Sequence, residues 1–385
     1  MPLSLNTSAQ ALRPSGIRRF SNLAAQTPDC ISLTLGEPGE DTPAPIRAQV
    51  PASLEAGKTH YPPNNGYPAL RQAIAQTMGD RGVSCTEDQV IVTNGATEAL
   101  FSTLTALLNP GDEVVIPKPA FLLYDSIVSL CRGRVVSLDT APASYQIDPD
   151  ALEAACGPRT KAIVICSPNN PTGCLLDRRS LEAVARAAAR HDCYVVCDDV
   201  YDQLVYDPGY QGFARLHPDL ADRTVLVNSF SKPYAMTGWR LGWLVASAPL
   251  AAQIAKVHQF AVSCVVAFTQ DAAVEALATD VSAMRASYQA RRDLTVARLG
   301  QMGLPLVEPR GAFYAFPDVS DLGLASEDFC ERAIREAGVA LVPGAFFGGE
   351  GHVRISYATD EASLSRGLDR LGTFVAGLRQ GSRPR

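Results

Sequence analysis

Between about residues 70 and 280, short apolar runs rich in Val, Ile and Leu alternate with longer helical patterns. Such alternation is typical of βαβ units, in which helices connect the parallel strands of one sheet. Strands that are apolar along their whole length belong in a sheet covered on both faces, and helices such as 97–108 and 178–190 supply that cover. The candidate strands are 89–93, 113–117, 134–138, 162–166, 194–198, 224–228 and 241–245. The sequence therefore predicts an α/β fold with a mainly parallel, seven-stranded sheet and helices on both faces.

The pattern changes after this region, which indicates a second unit. A long polar helical stretch is followed by two strand-like pieces at 312–316 and 352–357. The beginning of the chain is punctuated by Pro and Gly without a clear period, so it is interpreted as an arm that packs elsewhere. We therefore predict an N-terminal arm and small-domain segment over 1–45, a large domain over 46–282 and a smaller α+β domain over 283–385.

Composition excludes several classes of partner and site. The 385 residues carry 34 Lys+Arg against 40 Asp+Glu, a net charge of −6, and no basic run predicts nucleic-acid binding. No apolar stretch approaches the length of a membrane span, so no membrane partner is expected. The ten cysteines are scattered without a CxxC pair, which favours a reducing, cytoplasmic location. The five histidines lack paired ligand spacing, and no metal site is expected.

The segment 228–243 carries the most informative chemistry. Lys232 stands alone among neutral residues, and a lysine in a partly desolvated site has a lowered pKa and can attack an aldehyde. Ser229, Ser231 and the Arg240 guanidinium can together hold a phosphate dianion. Taken alone, a lysine in a loop is more often a solvated surface residue.

Two strand ends supply further polar groups. Asp198 closes the apolar strand 194–198 and can accept a hydrogen bond from a protonated heterocyclic nitrogen, while Tyr201 can reach an oxygen on the same ring. The alternative is a strand that simply emerges into solvent. Asn170 lies in the turn 167–173, directly after another apolar strand, where α/β sheets bind ligands. Ordinary turn chemistry explains its Pro and Gly equally well.

A fourth candidate is the turn from the strand 89–93 into the next helix. Gly95 and Ala96 let an anion approach the free N–H groups of the first helical turn, and the Thr97 hydroxyl adds a donor. A strand, a turn with one glycine and a helix form a common arrangement, so this signal is weak by itself.

Taken together, these residues resemble the pyridoxal-phosphate-dependent aminotransferases of fold type I, class I/II, along nearly the whole chain. The resemblance is carried, in order, by SGIRRF near the start, LGEP at 35–38, Tyr61-x4-Gly66-x3-Leu70-Arg71, SPNNPTG, DDVY, SFSK with GWR, GAFYAF at 311–316 and RISYA at 354–358. Within the family, the sequence is most similar to aspartate and N-acetyl-diaminopimelate aminotransferases.

The resemblance implies pyridoxal 5'-phosphate as cofactor and a homodimer with shared active sites. The implied catalytic residues are Lys232, Asp198 and Tyr201. Lys232 would be the Schiff-base lysine and proton-transfer base, and Asp198 the partner of the pyridinium nitrogen. The resemblance also implies contacts of Tyr201 and Asn170 with the ring hydroxyl oxygen, and of Phe121 with the face of the ring. The phosphate would be bound by Ala96, Thr97, Ser229 and Arg240, and by Tyr61 of the neighbouring subunit. The substrate would be bound by Gly36, Asn170 and Arg354.

The predicted function is ping-pong transamination between an L-amino acid and a 2-oxo acid. Arg354 would orient the substrate so that the Cα–H bond is the one broken. A β- or γ-lyase of the same fold and a non-catalytic, cofactor-binding regulator are the alternatives. The substrate side chain stays undetermined, because Arg18, Arg71 and Lys118 are all candidates for binding an acidic group.

Overall fold

The computed structural model describes residues 3–12 and 14–381, so the outermost ends of the predicted arm and C-terminal domain lie outside the described residues. Its strands are β1 (Ile31–Ser32), β2 (Val90–Thr93), β3 (Glu113–Lys118), β4 (Arg134–Asp139), β5 (Thr160–Cys166), β6 (Tyr194–Asp198), β7 (Thr224–Ser229), β8 (Gly242–Val245), β9 (Tyr314–Ala315), β10 (Val339–Ala340), β11 (Val342–Pro343) and β12 (Val353–Ser356).

The helices account for most of the remaining regular structure. They are α1 (Thr7–Ala11), α2 (Gly16–Gln26), α3 (Ala44–Glu55), α4 (Pro68–Asp80), α5 (Ala96–Leu107), α6 (Leu123–Leu130), α7 (Pro149–Ala155), α8 (Arg178–Arg190), α9 (Phe213–Leu216), α10 (Ala248–Val262), α11 (Gln270–Ala278), α12 (Ser282–Gln301), α13 (Ser326–Arg332) and α14 (Glu361–Gly381). None of these described helices has the length and apolar character needed to cross a membrane.

The large sheet has the strand order β2-β8-β7-β6-β5-β3-β4. All neighbours from β7 to β4 run parallel, whereas β8 is antiparallel to both β7 and β2. The connection from β7 to β8 contains only the short turn Thr237–Trp239 and no crossover helix, so the chain returns antiparallel. The prediction of a mainly parallel, seven-stranded sheet is confirmed, with strand bounds shifted by at most two residues.

Both faces of this sheet are buried, because alternate side chains of one strand point to opposite helical layers. In β5, Val164 belongs to the apolar cluster that contains Leu104 of α5. The next residue, Ile165, belongs instead to the cluster that contains Leu181 and Val184 of α8. This double cover explains why the strands are continuously apolar in sequence.

The C-terminal part forms two smaller sheets. Strands β11, β12 and β9 make an antiparallel sheet in that order, and β1 pairs in parallel with β10. The second pairing joins Ile31 to Val339, so a segment near the beginning of the chain packs with the C-terminal region. The domain bounds at 45/46 and 282/283 stay a prediction.

The predicted arm contains more helix than its sequence suggests. Helix α2 buries Phe20 and Ala24, four residues apart on one face, against the C-terminal apolar cluster. The helix is amphipathic over its eleven residues, so the sequence carried a helical period that the surrounding Pro and Gly obscured.

The sheet brings four chain segments to one edge. Strands β2, β5, β6 and β7 are mutually parallel, so their carboxyl ends lie on the same side, and α5 begins there directly after β2. Ligands of open α/β sheets bind at this edge. The fold therefore concentrates the polar residues that follow these strands.

Truncating a core side chain between α5 and the sheet should destabilise the fold. Leu104 is completely buried, so Leu104→Ala is expected to lower the free energy of unfolding by about 2–5 kcal/mol through lost burial and a residual cavity. Urea denaturation followed by far-UV circular dichroism measures the change. The control Leu54→Ala alters a side chain that is 43% exposed and should have little effect. Equal stability of the two variants would contradict this packing.

Candidate active site

A cavity of about 280 Å³ lies at the carboxyl edge of the large sheet, and Arg354 reaches it from β12 of the C-terminal sheet. It gathers most of the side chains that the sequence singled out. The predicted site residues in its lining are Gly36, Ala96, Thr97, Phe121, Asn170, Asp198, Tyr201, Ser229, Lys232, Arg240 and Arg354. Tyr61 is not part of this lining, and its side chain is 91% exposed on the surface.

Lys232 follows β7 and points into the cavity. Its Nζ donates a hydrogen bond to the carbonyl oxygen of Gly36 at 2.5 Å. Burial lowers the pKa of the Lys232 ammonium to about 8; Arg354 and Arg240 act in the same direction, while Glu37 opposes them. This lowered pKa favours the neutral amine that a base or nucleophile requires.

Asp198 ends β6 and is buried in the cavity wall. Its Oδ2 accepts a hydrogen bond from the Tyr124 hydroxyl at 2.5 Å, whereas Oδ1 is buried without a partner. Burial raises the pKa of Asp198 to about 6, against the opposing effects of the Tyr124 hydrogen bond, the Val200 backbone N–H and the Lys232 charge. A cationic N–H donor placed at Oδ1 would satisfy the unpaired oxygen and favour the carboxylate.

The opposite end of the cavity suits an anion. Gly95, with φ +78°, precedes α5, and a Cβ at this position would lie only 2.7 Å from Nη2 of Arg240. Arg240 donates to the backbone oxygens of Thr237 and Asn94 at 3.0 and 3.4 Å, and no described carboxylate pairs with it. The helix N-terminus and this guanidinium together provide donors for a phosphate.

Arg354 is a buried cation without an acid. Its Nη1 donates to Oδ1 of Asn170 at 3.0 Å and its Nη2 to the carbonyl oxygen of Thr34 at 2.6 Å. Its Nε is buried without a partner, and no described carboxylate lies within ion-pair distance. Burial lowers the pKa of this guanidinium. An anionic ligand is the missing counter-charge.

Two tyrosines complete the wall beside Arg354. The hydroxyls of Tyr201 and Tyr314 share a hydrogen bond of 2.8 Å, and the Arg354 guanidinium lies 4.6 Å from the centre of the Tyr314 ring. This contact supports the cation on its apolar side.

These features fit a phosphorylated, protonated pyridine. The unpaired Asp198 Oδ1 suits a ring N–H, while Gly95 leaves open the space between the start of α5 and Arg240 that a phosphate needs. The residues present therefore match pyridoxal phosphate chemically at both ends of the cavity.

Comparisons with known proteins agree. Residues 28–371 match the model of the family aminotransferase class I and II. An aspartate aminotransferase from Pyrococcus abyssi is 40% identical over 96% of this chain and 97% of its own length. A probable N-acetyl-LL-diaminopimelate aminotransferase from Bacillus subtilis is 40% identical over 98% and 97%. The solved aspartate aminotransferase of Thermus thermophilus with maleate aligns with a TM-score of 0.91 at 37% identity, covering 96% of this chain and 99% of that one.

The chain belongs to the class I and II aminotransferases. It is a pyridoxal-phosphate-dependent enzyme of amino-group transfer, so the predicted family, cofactor and reaction class are confirmed.

Among the side chains of the aminotransferase cavity, sequence reasoning missed the roles of the two tyrosines Tyr124 and Tyr314. Tyr124 lies three residues after Phe121 at the start of α6, and that spacing was the available signal. Tyr314 lies within the GAFYAF motif, which was recognised without a role for its tyrosine. Neither sequence position reveals the hydrogen-bond partner, because both partners are distant in the chain.

A buried ion pair next to the cavity was also missed. His258 of α10 is completely buried, with Nδ1 at 3.1 Å from Oε2 of Glu98 and Nε2 at 2.8 Å from the carbonyl oxygen of Asn64. An ionised carboxylate and a carbonyl both accept hydrogen bonds, so this geometry favours the doubly protonated ring. Burial alone would lower the pKa of His258, but Glu98 and Asn64 raise it overall. Glu98 lies in the first turn of α5, so the pair connects that turn to Asn64, near Tyr61.

The Tyr124 hydroxyl should tune cofactor binding through Asp198. Tyr124→Phe removes a hydrogen bond that favours the carboxylate, so the pKa of Asp198 should rise above about 6. An ionised Asp198 is needed opposite a protonated ring nitrogen, so cofactor affinity should fall as the pH drops through the pKa of Asp198. In the variant this fall should begin at a higher pH. One hydrogen bond corresponds to a shift of about one pKa unit, so the loss should be about twofold at neutral pH and approach tenfold below about pH 5.

Fluorescence titration of the apoprotein with pyridoxal phosphate at a series of pH values measures this effect. Tyr288→Phe is the control, because its hydroxyl donates to Glu40 at 2.7 Å and not to Asp198. Overlapping pH profiles for native protein and Tyr124→Phe would show that the hydroxyl does not act on Asp198.

Proposed function

We propose that Lys232, Asp198 and Arg354 carry the transamination of this family, in which an L-amino acid and a 2-oxo acid exchange an amino group in two half-reactions. One observation supports this most strongly. A single cavity contains a lysine of lowered pKa, a carboxylate with an unpaired oxygen and a guanidinium with no acid partner. Each group is costly to bury without matching ligand atoms.

Cofactor binding is assigned to the rest of the cavity. Asp198 would hold the ring nitrogen, and Tyr201 and Asn170 the ring hydroxyl oxygen. Phe121 would lie against the ring. The phosphate would be held by Ala96, Thr97, Ser229 and Arg240. When bound, pyridoxal phosphate supplies a carbonyl that takes up the amino group and a ring that withdraws electrons from Cα.

Lys232 acts as the proton carrier. Its neutral amine takes the proton from the substrate Cα and later returns a proton. The Gly36 carbonyl, which accepts a hydrogen bond from Nζ, steadies the amine beside the cavity. Asp198 stays ionised and keeps the nitrogen opposite it protonated.

Arg354 binds the substrate α-carboxylate. Its unpaired Nε lies in the buried wall, and two other guanidinium donors are fixed by Asn170 and Thr34. A guanidinium held this firmly orients the substrate, so that the Cα–H bond and not the bond to the carboxylate faces the proton carrier.

The active enzyme is proposed to be a homodimer with shared sites. Tyr61 is 91% exposed and Phe260 is 88% exposed. Asn64 bonds to the backbone oxygen of Ser263, which brings the two segments together. Grouped large apolar side chains on a surface mark protein contacts. Tyr61 would thus reach the phosphate site of the other subunit.

A cytoplasmic location is proposed for this enzyme. All ten cysteines fall within the described residues and are unpaired thiols. Free thiols persist in reducing compartments.

Removing the Lys232 amine should abolish turnover. Lys232→Ala is expected to lower the rate of each half-reaction by about a hundredfold to ten-thousandfold, the usual contribution of a positioned acid–base group. Absorbance changes of the bound cofactor after mixing with L-amino acids measure this rate. Lys256→Ala, at an exposed lysine, is the control.

Borohydride treatment of the loaded native enzyme should attach the cofactor to the peptide that contains Lys232. Attachment elsewhere, or full activity of Lys232→Ala, would contradict the assignment. Release of ammonia and pyruvate from a cysteine conjugate without a 2-oxo acid would instead identify a lyase.

Shared sites predict complementation between two defective subunits. Tyr61→Ala and Lys232→Ala should each be impaired at limiting cofactor. In a hybrid dimer, one site combines the native lysine of the first variant with the native Tyr61 of the second. Mixing the two after mild dissociation should therefore restore activity above the sum of the parents. Co-refolded Lys232→Ala with Asp198→Ala is the control, because both changes fall in the same subunit's site. No recovery in the first mixture would contradict sharing through Tyr61.

A further inference from the structure

Part of the cavity wall has no role in the chemistry described above. Its side chains Ile17, Leu100 and Leu123 are apolar. These side chains have no polar atom with which to bind the cofactor phosphate or the substrate carboxylate. Such a surface is available for the side chain of the substrate.

Ile17 is held on the side of the cavity where Arg354 lies. The Ser21 hydroxyl donates to the Ile17 carbonyl oxygen at 3.1 Å and shares a hydrogen bond of 2.9 Å with the Thr34 hydroxyl. The Thr34 carbonyl oxygen in turn accepts from Arg354. Ile17 also packs against the cluster that contains Phe347, whose ring lies 5.0 Å from the Arg354 guanidinium. A substrate carboxylate at Arg354 therefore has an apolar neighbour.

The charged residues of the wall are all engaged. Arg240 is assigned to the cofactor phosphate and Arg354 to the substrate α-carboxylate, while Lys232 and Asp198 are assigned to the reaction. No further lysine or arginine occurs among the described residues that line the cavity. An acidic side chain seated on the apolar part would thus be desolvated without a counter-charge, which is strongly unfavourable.

The basic residues considered in the sequence analysis for binding an acidic substrate side chain lie outside the cavity lining. Lys118 pairs with both carboxylate oxygens of Asp125 at 2.7 and 2.8 Å. Arg71 donates to the backbone oxygen of Glu87 at 3.1 Å. Arg18 is exposed on α2 and does not line the cavity.

The segments around Tyr61 would add no lysine or arginine from the other subunit, and the only basic side chain in them is the imidazole of His60. Residues 59–66 and 260–266, which Asn64 and Ser263 connect, contain neither lysine nor arginine. Their exposed side chains include Phe260 and Val266. This step rests on the proposed shared site.

We propose that the specific amino donor of this enzyme carries an apolar, aliphatic or aromatic side chain, which packs against Ile17 and Leu123. The inference rests on the proposed function, since it requires the donor carboxylate at Arg354. The reaction is unchanged: the donor leaves as its 2-oxo acid while the acceptor gains the amino group. Ile17 and Leu123 are specificity residues and take no part in proton transfer.

Half-reactions of the holoenzyme with single donors test the proposal. The donors are L-leucine, L-methionine, L-phenylalanine and L-tyrosine against L-aspartate and L-glutamate. At least one apolar donor should exceed L-aspartate in kcat/KM by about a hundredfold, the discrimination expected of a hydrophobic pocket. A higher kcat/KM for either acidic donor would overturn the proposal. If no amino acid changes the cofactor absorbance, both this inference and the proposed function fail.

Substitutions in the apolar wall test whether it determines donor specificity or affects activity with all donors equally. Leu123→Ala and Ile17→Ala should lower kcat/KM for apolar donors about tenfold or more without a matching loss for L-aspartate. Ile17→Lys should shift the ratio toward L-aspartate. Arg18→Ala should leave the ratio unchanged, and a selective loss of L-aspartate activity in it would identify Arg18 as an acid reader and overturn the proposal. An equal loss for all donors in both alanine variants would also overturn it.

Calorimetry provides a readout that does not depend on turnover. The holoenzyme should bind 4-methylpentanoate, an apolar monocarboxylate, more tightly than succinate, and Leu123→Ala should reduce this difference. Tighter binding of succinate would argue against the apolar side-chain site.

Discussion

Two buried charged side chains with unsatisfied polar atoms, Arg354 and Asp198, define the site of this aminotransferase. Arg354 has no acid, and Asp198 has one oxygen with no hydrogen-bond partner. Neutral groups offset part of the cost: the Tyr124 hydroxyl for Asp198, and Asn170 with the Thr34 carbonyl for Arg354. The remaining cost is relieved by a ligand with a cation at one point and an anion at another. Affinity for cofactor and substrate is thus built into the folded chain.

Holding these groups apart requires both parts of the fold. The carboxyl edge of the large sheet positions Asp198 and Lys232, while β12 of the small antiparallel sheet supplies Arg354. The segment that follows β1 bonds to Arg354 through the Thr34 carbonyl oxygen, and α2 bonds to the same segment through Ser21. The beginning of the chain is therefore structurally part of the substrate end of the cavity, where the apolar face of α2 packs against the C-terminal cluster.

The Glu98 and His258 pair connects the cofactor end to the surface. Glu98 accepts from the backbone N–H of Asn94 at 3.1 Å and from His258, so it fixes the turn that precedes α5. His258 then fixes Asn64, three residues after Tyr61. The buried side chain of His258 thus connects the turn before α5, where the phosphate is proposed to bind, to the segment of Tyr61, which is proposed to enter the other subunit. Because His258 is completely buried and Glu98 nearly so, salt screens their interaction weakly.

What the sequence determined by itself is local. The apolar runs predicted the strands, and polar residues placed directly after them, such as Asp198, Asn170 and Lys232, had to meet at one edge because parallel strands end there together. Family motifs extended this to Arg354. Tertiary structure alone decided which distant groups touch: Tyr124 and Asp198 are 74 residues apart, and Arg354 and Thr34 are 320 apart. It also decided that Lys118 and Arg71 bond away from the cavity. Contacts of this kind depend on how whole layers pack, and no local pattern encodes that packing.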